Sequence, residues 1–345
     1  MADDEQLMSR CIQLAANVRG LVAPNPMVGA VLVHEGRIIA EGYHREFGEA
    51  HAEADCLRRA ELSAKELIRA STLYVNLEPC SHQGKTPPCA DLILDHGIPE
   101  VVIGTQDPFE LVQGRGIRKL EAGGIRVRSG ILAQACRDLN IRFFTFHEKK
   151  RPYLILKWAR SRDGFIAGKE GSPVKLTRSL TDRLVHKWRS EEAAILIGAK
   201  TLWADQPRLT NRLWTGPSPV RVVLGRNPEF PQGSPLLDGN PRTLVFNSEK
   251  SGSADGVEFI RIREGIAPLG QLLVGLHHRA IQSVLVEGGA ELLGMFLRER
   301  CWDEARVITT PVWMGEGIRE PVLKGSRVVR EYDLEGDRIT EFAPA

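Results

Sequence analysis

The chain has 345 residues, which is more than one hydrophobic core usually takes, so we expect two domains. Its content of 42% hydrophobic and 26% charged residues is ordinary for a globular protein. Its formal net charge of +2 argues against a nucleic-acid or acidic-membrane partner. Six cysteines are too few for a disulfide scaffold in so long a chain, and no apolar run approaches the roughly 20 residues of a membrane span.

The first half of the chain alternates helical and strand patterns. Its acidic start, MADDEQLMSR, lacks the apolar region of a signal peptide, so we expect a reducing cytoplasm. Apolar spacing predicts helices at DEQLMSRCIQLAANV, HAEADCLRRAEL, CADLILDHG and GRGIRKLEAGG. Strands are predicted on both sides of the HEGR turn, at residues 71–79 and at EVVIGTQDP. This alternation predicts an α/β layered domain.

A charged segment that ends in proline, HEKKRP at residues 147–152, is typical of a domain boundary. We therefore predict domains at residues 1–146 and 151–345. After the boundary, predicted strands are YLILKWARS, AAILIGAKT, VRVVLG and SVLVEGG. Predicted helices are SLTDRLVHKWRSE and AELLGMFLRERC. The second half thus has the same α/β class without repeating the sequence.

Two motifs of the first half combine into a candidate zinc site. His51 and Glu53 stand at a predicted helix start, and Cys80 and Cys89 each follow a proline. One imidazole and two thiolates suit zinc and leave a fourth position open. Glu53 would then take a proton from the attacking water and hand it to a leaving amine, as in zinc nucleobase deaminases, whose signature is H-x-E followed by P-C-x-x-C. Here the second cysteine comes late, after eight intervening residues.

Other interpretations of these residues stay open at this point. Buried packing explains any one of the cysteines or the histidine alone, and a disulfide between Cys80 and Cys89 is disfavoured in a reducing compartment. His82 is a rival ligand, although its loop position favours a substrate contact. Lys85 offers a cation in the same loop, either for a phosphate or a polar ring or as a solvated side chain. The remaining cysteines are interpreted as packing residues: Cys11, Cys56, Cys136 and Cys301.

The motifs APNPMVGAVLV, HAEADCL, LEPCSHQGKTPPC and QDP…GRG resemble the N-terminal half of the bifunctional riboflavin-biosynthesis deaminase/reductase family. LKWARSRDGFIA, ADQPRLTNR and VLVEGGAELLGMFL resemble its reductase half. The resemblance implies a cytidine-deaminase-like three-layer domain followed by a dihydrofolate-reductase-like α/β domain. It also implies two consecutive steps: hydrolytic removal of the 2-amino group of 2,5-diamino-6-ribosylamino-4(3H)-pyrimidinone 5′-phosphate, then reduction of the ribosyl group to ribityl by NADPH.

The resemblance also implies roles for residues of the first half. His51, Cys80 and Cys89 would bind zinc, and Glu53 would be the catalytic proton shuttle. The substrate-binding residues would be Asn25, His44, Lys85 and Thr86. One departure is visible: the family usually has Asp-Pro-Asn-Pro where this chain has DPFE at residues 107–110, so an asparagine contact is missing or replaced at Phe109.

In the second half, VLVEGGAELL places two glycines between a strand and a helix, which suits a phosphate near backbone N–H groups but equally a tight packing turn. Arg226, after VRVVLG, is either a partner for the cofactor's 2′-phosphate or a surface arginine. By resemblance, the residues expected to bind NADPH are Ala159, Thr201, Asp205, Gly289, Ala290, Glu291, Leu292, Leu293, Gly294 and Met295. We also expect Lys175 and Arg226 to bind this cofactor.

The reductase substrate would be held by Lys157, Arg189, Leu209, Arg212 and Glu287. Arginine suits a sugar phosphate because its guanidinium binds phosphate oxygens in a bidentate manner. The chain departs from the family at Pro173, Lys175 and Gln206, where serine, tryptophan and aspartate are usual. The role of Asp163, in SRDG, is open.

Two rival functions are weighed against this prediction. A deaminase acting on nucleic acid would need a basic groove and stacking aromatics, and only 6% of the residues are aromatic. Alternatively, the second domain is a non-catalytic oligomerisation scaffold. We expect a small pyrimidine nucleotide as substrate, no nucleic-acid or membrane partner, and a homodimer or homotetramer.

Overall fold

The computed structural model describes residues 3–82 and 87–345. It divides the chain into two compact units, Met1–Lys149 and Lys150–Ala345. Residues 147–149, which the sequence suggested as linker, are the last turn of a helix. A lysine and a histidine are favourable there because cations stabilise the carboxyl end of a helix.

The first unit is a sheet between two layers of helices. Its strands are β1 (Gly29–His34), β2 (Arg37–Tyr43), β3 (Thr72–Leu77), β4 (Glu100–Thr105) and β5 (Arg126–Ser129). Its helices are α1 (Asp4–Ala16), α2 (Ala52–Ser63), α3 (Cys89–Asp95), α4 (Arg115–Ala122), α5 (Ala133–Leu139) and α6 (Ile141–Lys149). A short 3-10 helix spans Lys65–Ala70.

The sheet order of this unit is β2-β1-β3-β4-β5, with β3, β4 and β5 parallel and β1 antiparallel to both neighbours. Alternate strand residues face opposite helix layers, as the period of two requires. Leu73 and Val75 pack with α2, α3 and α4, whereas Tyr74 packs with α1 and α5. Gly42 brings α2 against β2, because a Cβ there would lie 2.3 Å from the backbone nitrogen of Cys56.

The second unit contains twelve strands, ten of which form one large sheet. Its strands are β6 (Tyr153–Arg160), β7 (Phe165–Ala167), β8 (Ala194–Gly198), β9 (Val220–Leu224), β10 (Thr243–Asn247), β11 (Gly252–Ala254), β12 (Val257–Arg261), β13 (Ser283–Val286), β14 (Glu304–Thr309), β15 (Ile318–Arg319), β16 (Ser326–Leu334) and β17 (Asp337–Pro344). Its helices are α7 (Ser179–Glu191), α8 (Ala199–Asp205), α9 (Pro268–His277) and α10 (Ala290–Arg298). Short 3-10 helices span Lys169–Gly171 and Pro235–Leu237.

The strand order of the large sheet is β11-β12-β10-β9-β8-β13-β6-β14-β17-β16, and β7 and β15 pair separately. The seven strands from β12 to β14 are parallel, so their carboxyl ends share one edge. Helices α9 and α10 cover one face of this sheet, where Leu154 and Leu156 point. Helix α7 covers the other face, where Ile155 packs against Val185 and Trp188.

Helices within residues 3–82 and 87–345 all fall short of the length and apolarity that a membrane crossing requires. The predicted helix DEQLMSRCIQLAANV is confirmed but ends at Ala16, and SLTDRLVHKWRSE is a helix with the predicted bounds. One element was wrong in part: AAILIGAKT was predicted as a strand throughout, but Ala199, Lys200 and Thr201 begin helix α8.

Candidate active sites

Three donor atoms converge at the carboxyl end of β3 in the first unit. His51 caps the start of α2, Cys80 follows β3 by three residues, and Cys89 is the first residue of α3. The His51 Nδ1 atom lies 3.6 Å from the Cys80 Sγ atom and 3.3 Å from the Cys89 Sγ atom. One donor atom from each residue lies within 4.8 Å of the others, so the tertiary structure joins residues that the sequence separates.

These separations fit a zinc ion. Bond lengths of about 2.3 Å to sulfur and about 2.0 Å to nitrogen, at tetrahedral angles, place the nitrogen and sulfur roughly 3.6 Å apart. The observed nitrogen–sulfur distances of 3.3 and 3.6 Å match that value. Cys80 and Cys89 are free thiols in the structure, so they do not form a disulfide with each other.

The protonation of the two thiols favours metal binding. Hydrogen bonding from the Cys89 thiol lowers the pKa of Cys80 to about 4, against the opposing effect of burial, and His51 adds to the lowering. The Cys89 backbone N–H also donates to the Cys80 Sγ atom at 3.3 Å. Hydrogen bonding to Cys80 and burial raise the pKa of Cys89. The direction of the shift at Cys80 favours the thiolate, which is the form that binds a metal ion.

Glu53 lies in the first turn of α2, two residues after His51. Its side chain is buried, and burial raises its pKa, with the neighbouring charge of Cys80 acting in the same direction. A carboxyl group with a raised pKa accepts a proton more readily than an ordinary glutamate does, as a general acid-base catalyst must. The environment of Glu53 therefore suits the predicted shuttle.

Asn25 and His44 line the same site. The His44 Nδ1 atom lies 3.0 Å from the Ala50 carbonyl oxygen, so this nitrogen carries the proton and donates. The His44 Nε2 atom then accepts from the Asn25 Nδ2 atom at 3.1 Å. The His44 ring meets the His51 ring edge-on, with centroids 5.4 Å apart. The predicted Lys85 and Thr86 lie outside the described residues.

The rival ligand His82 is not part of the metal group found among the described residues. Its ring packs edge-on against Phe109, with centroids 6.0 Å apart. Phe109 also meets the His147 ring at 5.0 Å. At the position where the family usually has asparagine, this chain therefore has a ring that contacts other rings.

Glu78 was missed by the sequence interpretation although it stands in the LEPC motif. Its buried carboxylate accepts four backbone N–H groups, from Asp107 at 3.2 Å, Gly114 at 2.9 Å, Gly116 at 2.9 Å and Ile117 at 3.2 Å. Gly116 is required there because a Cβ would lie 2.0 Å from the Pro79 carbonyl oxygen. Glu78 thus ties the start of α4 to the chain just before Cys80. A charged residue directly after a buried strand was the available signal.

In the second unit, three charged side chains form a buried cluster. β6 and β13 are parallel, and the pairing of Leu156 with Val286 aligns the next residues, Lys157 and Glu287. The Lys157 Nζ atom lies 3.6 Å from the Glu287 carboxylate, and Arg189 donates two hydrogen bonds to it at 2.8 Å each. Burial raises the pKa of Glu287, but the opposite effects of Arg189 and then Lys157 are larger and lower that pKa to about 2. Burial lowers the pKa of Lys157. The cluster carries a net positive charge.

The segment at residues 209–212 lies next to this cluster. The Arg189 Nη1 atom donates to the Thr210 carbonyl oxygen at 3.3 Å. Arg212 is exposed, and its Nη1 atom donates to the Thr210 Oγ1 atom at 2.8 Å. Leu209 is buried with φ at 53°, a left-handed conformation that is uncommon for a branched side chain. The structure therefore brings Lys157, Arg189 and Glu287 into contact and places the backbone of residues 209–212 beside them, whereas the Leu209 side chain packs in a separate apolar cluster.

The predicted cofactor residues surround the carboxyl ends of neighbouring strands. β8 and β13 are adjacent and parallel; α8 begins directly after β8, and α10 begins after a three-residue turn that follows β13. The Gly289 N–H group donates to the Thr201 Oγ1 atom at 3.2 Å. A Cβ on Gly289 would meet only that oxygen atom, at 3.5 Å, so the described surroundings leave room for a phosphate group to approach the backbone.

The remaining predicted cofactor residues have mixed surroundings. Leu292 and Leu293 point into the core, so only their backbone can meet a ligand, and Met295 packs against that core. Glu291 is exposed and pairs with Lys200 at 2.6 Å. Others lie on or after the elements of this edge: Ala159 on β6, Ala290 and Gly294 in α10, Asp205 at the end of α8 and Arg226 after β9.

Two further positions from the sequence analysis have clear partners. Lys175 is exposed and pairs with Asp182 of α7. Asp163 accepts the N–H groups of Met314 at 3.1 Å and Gly315 at 2.7 Å, so it holds a loop. That geometry gives Asp163 a local structural role.

Comparison with known families is consistent with both sites. The family model of the RibD C-terminal domain matches residues 152–344, and that of the cytidine and deoxycytidylate deaminase zinc-binding region matches residues 1–105. The riboflavin biosynthesis protein RibD of Aquifex aeolicus is 38% identical over 322 residues, which cover 91% of this chain and 89% of that protein. The protein of the same name from Bacillus amyloliquefaciens is 36% identical and covers 99% of this chain and 94% of its own length.

Solved structures agree with these relatives. A diaminohydroxyphosphoribosylaminopyrimidine deaminase/5-amino-6-(5-phosphoribosylamino)uracil reductase from Thermotoga maritima superposes with a TM-score of 0.89 at 38% identity, covering 99% of this chain and 98% of that one. Acinetobacter baumannii RibD gives a TM-score of 0.90 at 30% identity, with 99% of each chain covered. The predicted fold class is confirmed: the first unit is cytidine-deaminase-like and the second is dihydrofolate-reductase-like.

Proposed function

Because this chain belongs to the RibD family of bifunctional riboflavin-biosynthesis enzymes, we propose which of its residues perform the two reactions of that family. The chain is a zinc-dependent deaminase and an NADPH-dependent reductase. The substrate is the diaminopyrimidine ribosylamine phosphate, which loses its 2-amino group as ammonia before its ribosyl group is reduced to ribityl. A purely scaffolding second domain is not favoured, because a reductase family model covers residues 152–344.

For the deamination, His51, Cys80 and Cys89 hold the zinc ion, which when bound supplies the Lewis acidity that makes water a nucleophile at neutral pH. Glu53 takes one proton from the water that adds to the ring carbon and delivers it to the amino group, which leaves as ammonia. Asn25 and His44 orient the pyrimidine, since their mutual hydrogen bond fixes both side chains beside His51. Lys85 and Thr86 complete this pocket in the proposal.

For the reduction, a hydride is added to the sugar carbon that bears the amine, and a proton is added to the ring oxygen that departs from it. NADPH supplies the hydride. Arg189, Arg212 and Leu209 hold the phosphorylated sugar, and Glu287 holds Arg189 and Lys157 in place. Lys157 faces the sugar as an ammonium group whose pKa burial lowers, which makes it a better proton donor.

On the cofactor side of the second site, the backbone of residues 289–291 and the Thr201 hydroxyl receive the NADPH phosphates. Arg226, which is exposed after β9, pairs with the 2′-phosphate. The departures at Lys175 and Gln206 alter individual cofactor contacts and leave the hydride chemistry to NADPH.

The observation that carries this proposal is the convergence of one imidazole and two thiols within 4.8 Å, beside the buried carboxyl group of Glu53. The experiment is a metal analysis of the purified protein combined with a two-step assay on the diaminopyrimidine nucleotide. We expect one zinc ion per chain, release of ammonia without NADPH, and oxidation of NADPH only after ammonia has been released. A metal-free protein that still deaminates the nucleotide would reject the site.

The oligomeric state and the cellular location are also part of the proposal. A homodimer or homotetramer through the second unit is supported by β16, the last strand of the large sheet, where Val328 and Val329 are each 56% exposed. A cytoplasmic location is supported by the free cysteines of the zinc site, which need a reducing compartment. Sedimentation of the wild type and of Val329→Lys would test the first point, with a monomer expected for the variant.

A further inference from the structure

Helix α7 holds the backbone of the segment at residues 209–212 through two side chains. His186 and Arg189 lie three residues apart and therefore on one helix face. The His186 Nδ1 atom accepts the backbone N–H of Arg212 at 2.8 Å. Arg189 donates to the Thr210 carbonyl oxygen at 3.3 Å. Leu209, with φ at 53°, starts this segment in an uncommon conformation, which persists only where the surroundings hold it.

The hydrogen bond to Arg212 determines the state of the imidazole. Because Nδ1 accepts, it carries no proton, so His186 is neutral with its proton on Nε2. The side chain is 5% exposed. The charged groups that face it are Arg189 on its own helix, Arg212 on the segment and Glu287 after β13. Two of these three groups are cations, so a positive charge on His186 is unfavourable.

We propose that His186 is a positioning residue of the reductase site: it holds Arg212 where its guanidinium binds the phosphate monoester of the sugar. The inference rests on the proposed function of Arg212. His186 itself does not touch the phosphate. It acts by accepting the Arg212 N–H, which fixes where the Arg212 side chain leaves the segment. A neutral imidazole is required, since protonation of Nδ1 removes the acceptor and adds a third cation beside Arg189 and Arg212.

This role predicts a dependence of substrate affinity on pH. Burial, and then Arg189 and Arg212, lower the pKa of His186 below its ordinary value of about 6.5. The acceptor is therefore present at neutral pH and is lost as the pH falls through the lowered value. The KM of the reductase substrate should rise at acidic pH in a way that a non-titrating acceptor at this position would not show.

The test measures kcat and KM for NADPH oxidation with the deaminated substrate. His186→Leu removes the acceptor and should raise KM about tenfold while kcat stays within about twofold. His186→Asn keeps an acceptor oxygen at the same distance from the backbone and should restore KM to within about threefold of the wild type. The exposed His278, replaced by asparagine, is the matched control and should change neither value.

Several outcomes would overturn the proposal. An unchanged KM in His186→Leu would do so, and so would an equal rise in His186→Leu and His186→Asn, which would indicate lost packing. In an Arg212→Ala background, His186→Leu should add nothing further, because the two residues act through one contact. Additive effects in this double-mutant cycle would contradict the role.

The pH profile decides the question even if His186→Leu fails to fold. The substrate phosphate titrates near pH 6 in every variant, so its effect cancels when the KM of the wild type is divided by the KM of His186→Asn. The pH dependence of this ratio then reports the protonation of His186 alone. That ratio should rise as the pH falls through the lowered pKa of His186, and a constant ratio rejects the proposal. Failure of the proposed function is distinguishable: the wild type would then not oxidise NADPH with this substrate, or Arg212→Ala alone would leave KM unchanged.

Discussion

The two sites of this molecule are built in different ways. The first depends on donor atoms of one imidazole and two thiols, held within 4.8 Å by the starts of two helices and the end of a strand. The second depends on three cations and one anion, which together carry a net positive charge: Lys157, Arg189, Arg212 and Glu287. These residues are up to 130 positions apart in the chain. Its proposed cofactor contacts are largely backbone groups at strand ends.

The difference shows what each kind of chemistry demands of a sequence. A zinc site needs particular side chains, since few residue types supply a soft ligand of the right geometry. A sugar-phosphate and dinucleotide site needs cations and N–H groups in the right place, which many residues and any backbone can supply. The residue types of the first site therefore suggest their chemistry in the sequence, whereas the second site was predicted mainly through resemblance to a family.

Removal of the metal should separate the two sites most sharply. We expect dialysis against a strong chelator to abolish ammonia release, because water is no longer activated. Reduction of the deaminated substrate should continue, since the metal-binding group found among the described residues lies in the first unit. Both rates would be measured on one preparation whose zinc content is known, and re-addition of zinc should restore ammonia release. Deamination by verified zinc-free protein would contradict the comparison.

Glu53→Gln should lower the rate of deamination about 10³-fold, because an amide cannot carry the proton from water to the amine. The variant should still bind zinc, and its reductase rate should equal that of the wild type. Glu61→Gln, an exposed residue on the same helix, is the matched control. A variant Glu53→Gln that retains a tenth of the activity would mean that another group moves the proton.

Arg212→Ala should raise the KM for reduction about 30-fold, since a charge-assisted contact to the phosphate is lost, while deamination is unchanged. Arg183→Ala, which removes an exposed arginine from α7, should alter neither reaction. Parallel loss of both activities in Arg212→Ala would show that the two sites are not independent.

The smallest effect concerns the stability of the first unit. Burial raises the pKa of Asp107 to about 7, so the folded unit keeps a proton that the unfolded chain releases near pH 4. The contribution of Asp107 to the stability of the unit is therefore fully present below about pH 4 and is lost as the pH rises through about 7. Asp107→Asn should remove this loss, and between pH 5 and 7.5 the Tm of the wild type should fall about 4 °C further than that of the variant. If Tm changed with pH equally in the wild type and in Asp107→Asn, Asp107 would not be the group responsible.

Much of the fold could be predicted from periodicity. Helix α7 and strands β1, β3, β4 and β13 follow from apolar spacing, because their buried faces recur at the period of the element. The final hairpin could not be found this way. β16 is exposed along most of its length and β17 only partly buried, so neither shows a clear apolar pattern. Their place in the sheet comes from pairing of β17 with β14, which is a long-range contact.

Glu78 and His186 show the same limit within the sites. Nothing in the local sequence of Glu78 says that four backbone N–H groups, from residues 107 to 117, will converge on its carboxylate. His186 reads as one polar residue on an amphipathic helix, and its partner at Arg212 lies 26 residues away. Such positioning residues depend on the path of the chain around them.

By itself, the sequence determined the α/β class of both halves, because periodicity depends on local residue order, and its motifs pointed to the family of the enzyme. It also predicted a zinc site at His51, Cys80 and Cys89 beside Glu53, because few residue types supply such ligands. Only the tertiary structure decided which charged side chains cluster, which nitrogen of His186 accepts a hydrogen bond, and which carboxylates hold loops. Those properties arise from burial and from contacts between distant segments, and neither exists until the chain has folded.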